Sequence, residues 1–305
     1  MVMETDVSKK AENPVKVKKR TIKSKKEKAF NVCNIVILSL LGVCFVLPYL
    51  YILSASFMSE GAFDKHGYSL IPYGFSFQAY GKLFQDFSII KSFGVSIFLT
   101  LTGTVLHTTV NVLTAYPLSK PKFVGKNVLM KILIFAMLFS GGLIPTYVLI
   151  VNMGLKNNYL SLLLPGALSP WTCIMIRSFF LSVPASMEEA MKMDGANNFT
   201  VLLHVYVPMS VPVIASQMMF IAVGFWSSWS GPLLYLTKEN MYPLALVLQK
   251  MMQKNINPSS GGTSSGAHDT MKMAMVVIST LPIICVYPFM HKYFISGMML
   301  GSVKE

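Results

Sequence analysis

The residues with the clearest chemical pattern lie in one short polar segment, 183–199, between two apolar runs. Ser186 and Glu189 have the spacing of a capping box, in which a hydroxyl and a carboxylate satisfy free N–H groups at the start of a helix. Glu188 and Glu189 also stand where the positive end of a helix dipole favours carboxylates. The segment therefore predicts a short helix over about 187–194.

The predicted helix ends at Gly195, because glycine readily adopts the left-handed conformation that follows many helices. Residues spaced three or four apart along one side of it are Met187, Ala190, Met191 and Asp194. A helix of two turns is not stable by itself in water, so it must pack against something. A position on the lipid surface suits so short and acidic a segment poorly. Docking into a cytoplasmic partner fits its composition better.

The sequence lacks the usual patterns of catalytic and metal sites. It contains no glycine-rich phosphate loop ending in Gly-Lys-Ser or Gly-Lys-Thr, so we do not expect it to bind ATP phosphates in that way. Its five histidines are scattered, and none of its four cysteines has the CxxC spacing of a zinc site. We predict no catalytic residue, no metal and no cofactor on this chain. His107 lies within an apolar run and has two interpretations, a functional intramembrane group or a hydrogen-bonded structural residue.

A second group of residues has the composition of a sugar-binding surface. Trp226, Ser227, Trp229 and Tyr235 combine aromatic faces with hydroxyl groups. Aromatic faces pack against the apolar faces of sugar rings, and hydroxyls bond their polar edges. The same residues are also typical of the aromatic belt at a membrane interface. Both interpretations, a substrate path and an interfacial belt, stay open at this point.

The elements that position these groups are apolar helices. Of the 305 residues, 53% are hydrophobic and 13% are charged, and the mean hydropathy is +0.55. We predict an all-α membrane protein with six transmembrane helices, since each of six segments is long enough to cross about 30 Å of hydrocarbon. Glycine and proline interrupt several of these segments, which indicates a bundle rather than independent anchors. The predicted spans are about 29–53, 93–116, 128–151, 159–181, 205–229 and 273–295.

The positions of the Lys and Arg residues predict how the chain is oriented across the membrane. Residues 1–28 contain ten Lys or Arg and four acidic residues and lack apolar periodicity, so we expect a disordered basic tail in the cytoplasm. A signal peptide is the alternative, but the apolar run that follows is too long for one. With the N-terminus inside, 182–204 is a cytoplasmic loop and 296–305 a cytoplasmic tail. The transmembrane domain is then 29–295, in a multi-pass chain with both termini in the cytoplasm.

None of the predicted spans contains Asp or Glu. Ion-coupled transporters usually place an ionisable group or an ion site near mid-membrane. A secondary transporter or channel is therefore disfavoured, and no catalytic cluster or signalling domain supports a membrane enzyme or sensor. If the chain moves a solute uphill, the energy comes from another polypeptide.

The polar segment closely resembles the EAA loop of binding-protein-dependent ABC importer permeases. The matching residues are Glu189, Ala190, Met191, Asp194, Gly195, Ala196, Phe199 and Pro208. Met191 stands where the family pattern has a second alanine. Blocks that resemble the LplC-type polysaccharide and oligosaccharide subgroup of the carbohydrate-uptake family lie at 139–147, 164–167, 242–244 and 287–304. The chain is identified as a MalG-like inner-membrane component of this family.

The resemblance implies a type I ABC importer fold in a bacterial cell membrane. It implies one half of a heterodimeric pore, with a second permease subunit, two ATPase subunits that bind ATP and Mg²⁺, and an extracytoplasmic solute-binding protein. The implied substrate is an oligosaccharide or complex glycan, with another solute as the alternative; no nucleic acid is implied. Residues 182–204 would be the coupling loop. Its contact with the ATPase would come from Glu188, Glu189, Ala190, Met191, Asp194, Gly195 and Ala196.

Overall fold

The computed structural model describes residues 25–253 and 266–302. Helices joined by turns and loops make up the regular structure of these residues. They contain no β-strand and a single isolated antiparallel bridge, between Met58 and Phe75. Chain contacts divide the protein into two compact units, 1–49 and 50–305. The described part of the first unit is helical, and its apolar side chains are exposed, as expected for a surface that contacts lipid.

The helices fall into long, medium and short classes. The long helices are α1 (Lys25–Ser56), α4 (Phe87–Ser119), α12 (Val211–Ser227) and α15 (Gly266–Ser302). Those of eight to thirteen residues are α3 (Gln78–Gln85), α5 (Lys126–Leu138), α6 (Leu143–Asn152), α8 (Pro170–Phe180), α9 (Ala185–Met193) and α14 (Leu244–Gln253). The short ones are α2 (Glu60–His66), α7 (Leu160–Leu163), α10 (Asn198–Val201), α11 (Val207–Met209) and α13 (Ser230–Tyr235). A π-turn, Leu202–Tyr206, joins α10 to α11, and a 3₁₀ turn, Glu239–Met241, precedes α14.

Three helices are long and apolar enough to cross a membrane within the described residues, over Ala29–Ser56, Phe87–Ser119 and Asp269–Pro288. Two further candidates are bent pairs, α5 with α6 at 114° and α10–α11 with α12 at 84°. Length and composition thus support three spans, or five if each bent pair crosses once. The sixth span, and with it the count of six, stays a prediction.

Both bends occur where the sequence removes helical backbone bonding. Between α5 and α6, Gly142 has φ 84°, a left-handed conformation that favours glycine. Between α11 and α12, Ser210 lies between Pro208 and Pro212, which have no N–H to donate. The π-turn that ends at Tyr206 directly precedes this pair of prolines. The breakers noted in the sequence therefore bend these segments rather than being absorbed in straight helices.

The predicted span 159–181 consists of α7, a turn and α8, and neither helix is long enough to cross a membrane alone. Two buried side chains of α4 bond the backbone that this break leaves free. Asn111 donates to the carbonyl of Ala167 at 2.9 Å and accepts from the N–H of Ser169 at 3.1 Å. His107 places Nε2 2.8 Å from the carbonyl oxygen of Leu163. His107 is thus hydrogen-bonded to the backbone, as its structural interpretation expects.

Helix α4 lies at the centre of the second unit and packs against α8, α12 and α14. Two hydrophobic cores form along it. The first surrounds its C-terminal end with α8, the π-turn and the start of α12. The second surrounds its N-terminal end with α14, α15 and Trp226 near the end of α12. The first core is the one that supports the predicted coupling loop.

Candidate functional site

The predicted coupling helix is present as α9, and it begins earlier than the capping box predicts. Its first residue is Ala185, and its N-cap is Pro184, which makes no side-chain capping bond. The capping-box prediction is therefore wrong, because Ser186 already lies inside the helix. Proline fixes φ near the value that a turn requires, and the Pro184 carbonyl accepts from the N–H of Met187 at 3.2 Å.

The end of α9 follows the prediction. Gly195 has φ 81°. Its N–H donates to the carbonyl of Lys192 at 3.1 Å, and the N–H of Ala196 donates to the carbonyl of Met191 at 3.0 Å. This pair of bonds is a Schellman motif, which satisfies free carbonyls at a helix end. The glycine thus turns the chain sharply from α9 towards α10.

The two glutamates of α9 have different environments. The Glu188 carboxylate is 14% exposed and accepts from Lys120 Nζ at 2.6 Å, from Tyr206 Oη at 2.6 Å and from Lys192 Nζ at 2.7 Å. The Glu189 carboxylate is exposed and has no hydrogen bond or ion pair within the described residues. Glu188 is therefore engaged within the chain, and Glu189 is available to another molecule.

The hydrogen bonds to Glu188 set its charge. Burial raises the pKa of the Glu188 carboxyl group, but the bonds from Lys120, Lys192 and Tyr206 outweigh burial and bring that pKa to about 2. Burial lowers the pKa of Lys120, and its bond to Glu188 opposes that effect. The Lys120 ammonium also lies over two aromatic rings, 4.1 Å from the centre of Tyr116 and 3.9 Å from that of Tyr206. Glu188 and Lys120 thus form a compact charged cluster at neutral pH.

Lys120 and Tyr206 were not predicted from the sequence as partners of the loop. They lie 68 and 18 residues from Glu188 along the chain, so no local spacing links them. The only sequence signal was a lysine directly after a long apolar run. A charge at such a position has many explanations, and a pairing across that distance depends on how the helices pack.

The surface of α9 and its C-cap combines the exposed charges of Glu189, Lys192 and Asp194 with exposed apolar side chains. Met187 is 48% exposed and Met193 is 88% exposed, and Ala190 and Asp194 are also exposed. Phe199, in the neighbouring α10, is 60% exposed. Met191 and Ala196 are partly buried and pack against the first hydrophobic core. The predicted coupling residues therefore divide into an outward group and an inward group.

The predicted substrate-path residues lie around the end of α12, on the walls of two cavities. Trp226, Ser227 and Trp229 line a cavity of about 230 Å³, together with residues of α14 and α15. Tyr235 lines a separate cavity of about 160 Å³. The structure thus brings three of the four residues to one cavity and places the fourth at another.

These four side chains differ in solvent exposure and in the contacts that they already make within the chain. The Trp226 indole is 9% exposed and donates its N–H to the carbonyl of Ser279 at 2.8 Å. Ser227 Oγ donates to the carbonyl of Val223 at 2.5 Å. Tyr235 is buried and stacks on Tyr147, with ring centres 5.9 Å apart. Trp229 is 40% exposed and is the member of the group with the most open ring.

Three predicted segments lie partly outside the described ranges: the basic tail 1–28, the C-terminal tail 296–305, and the transmembrane domain 29–295, which includes residues 254–265. The basic tail 1–28 is described only from residue 25, and the last three residues of the predicted tail 296–305 lie outside. Residues 296–302 belong to α15. No group of three or more metal-binding side chains occurs in the described part of the chain.

Comparison with known proteins gives the family. Residues 32–299 match the family described as the binding-protein-dependent transport system inner membrane component. Protein LplC of Bacillus subtilis is 39% identical over 285 residues, which cover 92% of this chain and 97% of LplC. The polygalacturonan/rhamnogalacturonan transport system permease protein YtcP of the same organism is 36% identical over 265 residues, which cover 85% of this chain and 92% of YtcP.

A solved structure shares the same fold. It is a chain of a bacterial ABC transporter involved in the import of the acidic polysaccharide alginate, with a TM-score of 0.82 and 34% identity. The match covers 89% of this chain and 99% of that one. By sequence and by fold, this chain belongs to the family of inner membrane components of binding-protein-dependent transport systems.

Proposed function

We propose that this chain is one half of the pore of an ATP-driven importer that carries oligosaccharides or complex glycans into the cytoplasm. A second permease subunit completes the pore, two ATPase subunits bind ATP and Mg²⁺, and an extracytoplasmic binding protein delivers the solute. The protein resides in a bacterial cell membrane with both termini in the cytoplasm and crosses it six times. Family membership supports the transport role.

The observation that carries the proposal is the exposed face of α9. This helix has nine residues, and none of them is buried. It presents exposed methionines and the unpaired carboxylate of Glu189 beside them. A flexible apolar surface beside a free charge is typical of a docking site. Because the sequence contains no phosphate loop, we assign ATP binding to the partner that docks here.

Glu188 takes a smaller part in docking than the sequence suggests. Its carboxylate already has three donors within the chain, so Glu189 is the acid that meets a basic residue of the ATPase. Met187, Ala190 and Met193 supply apolar contact to the ATPase. Met191 and Ala196 hold the helix in place by packing against the first hydrophobic core. Asp194 and Gly195 form the turn that redirects the chain after the helix.

The relatives support a glycan substrate. YtcP is named for the transport of polygalacturonan and rhamnogalacturonan, and the structural relative belongs to an alginate importer. Their identities of 36% and 34% extend over most of the chain. We infer that this chain imports a carbohydrate of the same general class.

Within the pore, we propose that Trp229 offers an aromatic face to a sugar ring. Its indole is the most open of the three candidate aromatic rings. Trp226 shapes the cavity wall, because its N–H is already bonded to the Ser279 carbonyl. Ser227 lines the same cavity, where its hydroxyl, which donates to Val223, can still accept a hydrogen bond from a sugar, and Tyr235 lines the neighbouring cavity.

Transport proceeds by alternating access. ATP binding draws the two ATPases together, α9 moves with the ATPase that holds it, and the helix bundle opens to the outside to receive the sugar. Hydrolysis then returns the bundle to its inward-open state. Coupling of this kind requires that α9 make different contacts in the two states.

The proposal is tested by reconstitution. The chain is co-expressed with the neighbouring permease and the ATPase, and ATP hydrolysis is measured in nanodiscs with and without binding protein over a panel of glycans. We expect hydrolysis to rise only when binding protein and one class of glycan are both present. A chain that recruits no ATPase, or a complex that no glycan stimulates, contradicts the proposal.

A matched pair of variants tests the docking face. Glu189→Gln removes the unpaired carboxylate of α9. We expect ATPase affinity to fall at least about tenfold, because a close charge pair across an interface is worth about 1.5 kcal/mol or more and tenfold corresponds to about 1.4 kcal/mol. Glu239→Gln removes another exposed carboxylate, from the 3₁₀ turn before α14, and leaves ATPase affinity unchanged. Equal affinities for both variants and the parent chain argue against Glu189 as the contact.

A further inference from the structure

The attachment of α9 to the rest of the protein rests on few contacts. None of its nine residues is buried, and Met191 is its only member packed against the first hydrophobic core. Apolar packing alone therefore holds this helix weakly. The charged cluster around Glu188 is its main polar link to the helices beneath it.

The cluster joins three separate elements at one carboxylate. Lys120 is the residue directly after α4, and Tyr206 is the last residue of the π-turn that leads towards α12. Both bond the same oxygen, Glu188 Oε2, each at 2.6 Å. The other oxygen, Oε1, accepts from Lys192 of α9 itself at 2.7 Å. One side chain of α9 thus holds the ends of two helical segments.

The partners of Glu188 are themselves fixed. The Lys120 ammonium lies over the rings of both Tyr116 and Tyr206, which contact each other edge to face with centres 5.2 Å apart. Both rings belong to the first hydrophobic core. Rigid partners transmit displacement, whereas mobile surface side chains absorb it. The geometry therefore suits transfer of movement from α9 to the core.

We propose that Glu188 is the positioning residue that couples movement of α9 to α4 and to the bent α10–α12 segment. Glu189 engages the ATPase, and Glu188, its neighbour in sequence, carries the resulting displacement to the membrane helices. The two adjacent carboxylates thereby have different roles: Glu189 binds the partner, and Glu188 transmits the partner's movement. This inference rests on the proposed function, in which α9 docks to an ATPase.

A purely structural role for Glu188 predicts a different result. If the cluster only stabilises the fold, its loss lowers the amount of assembled complex, and each complex that remains transports normally. If the cluster transmits movement, complexes assemble and hydrolyse ATP but import less sugar per ATP. The ratio of sugar imported to ATP hydrolysed separates the two roles.

The structure offers a matched pair of single-atom variants. Tyr206→Phe removes the hydroxyl that donates to Glu188 and keeps the ring under Lys120. Tyr116→Phe removes a buried hydroxyl that has no hydrogen-bond partner among the described residues and also keeps its ring. The two tyrosines lie in the same core, so the pair isolates the bond to the carboxylate.

The experiment uses the complete transporter in proteoliposomes with its binding protein and the glycan that stimulates it. We expect Tyr206→Phe to assemble with the ATPase and to lower the ratio of sugar to ATP by up to about tenfold, equivalent to about 1.4 kcal/mol. Tyr116→Phe retains the parental ratio. Glu188→Gln and Lys120→Met, which remove the ion pair, lower the ratio further.

The outcomes separate this inference from the proposed function. A parent complex that recruits no ATPase or imports no glycan overturns the proposed function itself. A parent complex that imports normally, together with parental ratios in Tyr206→Phe, Glu188→Gln and Lys120→Met, overturns the role of Glu188 alone. Reduced assembly with an unchanged ratio also overturns it, because the cluster is then only structural.

Discussion

A close approach between α4 and α12 gives a quantitative test of the fold. Gly103 of α4 is buried against the ring of Phe225 of α12. A Cβ atom added at Gly103 would lie 2.4 Å from two carbons of that ring. Carbon atoms in contact are normally 3.5–4.0 Å apart, so Gly103→Ala forces the ring or the helix to move by about 1 Å.

The same helix contains a control for this substitution. Gly94 of α4 is exposed, and a Cβ added there meets no atom within 4 Å. Both alanines gain about the same helix propensity, up to about 1 kcal/mol. The difference between Gly103→Ala and Gly94→Ala therefore measures the overlap with Phe225. Overpacking of this kind costs about 1–3 kcal/mol.

The assay is thermal unfolding of the purified complex. For a chain of this size, about 1 kcal/mol corresponds to about 2–4 °C in Tm, so we expect Gly103→Ala to unfold at least a few degrees below Gly94→Ala. Adding Phe225→Leu, which removes the ring, should restore most of the difference. Equal Tm values for the two alanine variants, with no rescue by Phe225→Leu, would refute the proposed approach of α4 to α12.

Three further predictions concern the polar groups. Asn111→Leu leaves the Ala167 carbonyl and the Ser169 N–H without this partner, so it should destabilise the complex by about 2–4 kcal/mol, whereas the exposed Asn152→Leu should not change Tm. Gly195→Ala has room for its Cβ but must hold φ near 81°, so it should cost about 1–2 kcal/mol in local stability of α9, measured by hydrogen exchange. The folded-state pKa of Glu188 is about 2, below its ordinary value of 4.5, so its stabilising effect is full above about pH 4.5 and is lost as pH falls through 2. Exchange protection of α9, corrected for intrinsic rates, should then be equal at pH 7 and pH 5, and a loss within that interval would contradict the assignment.

The sequence predicted α9 well because its signals are local. An acidic short segment, a glycine at its end and polar flanks lie within about a dozen residues of one another, and local backbone preferences decide such features. Its start was predicted two residues late, because Pro184 begins the turn without a side-chain cap. Which of the two glutamates, Glu188 or Glu189, bonds within the chain was harder to predict, because adjacent residues of a helix face different surroundings in the fold.

The sequence did not predict the shape of the apolar segments. Apolar length fixes where a chain can cross a bilayer, and it does not report a bend. The glycine and proline residues that bend the α5–α6 and α10–α12 segments were visible, but the angles of 114° and 84° were not. The broken segment 159–181 depends on Asn111 and His107 of α4, whose bonding partners lie more than 50 residues away.

The sequence by itself determined the class of the protein, a basic-tailed helical membrane chain with an exposed polar helix, because composition and short-range spacing are sufficient for those properties. Its likeness to ABC importer permeases followed from the polar segment 183–199 and the blocks that resemble the family elsewhere in the chain. Tertiary structure alone decided that Glu188 binds Lys120 and Tyr206 while Glu189 stays free, and that Trp226 is held by Ser279 while Trp229 is open. These pairings depend on how distant helices pack, and such contacts are set by the balance of burial and hydrogen bonding over the whole bundle.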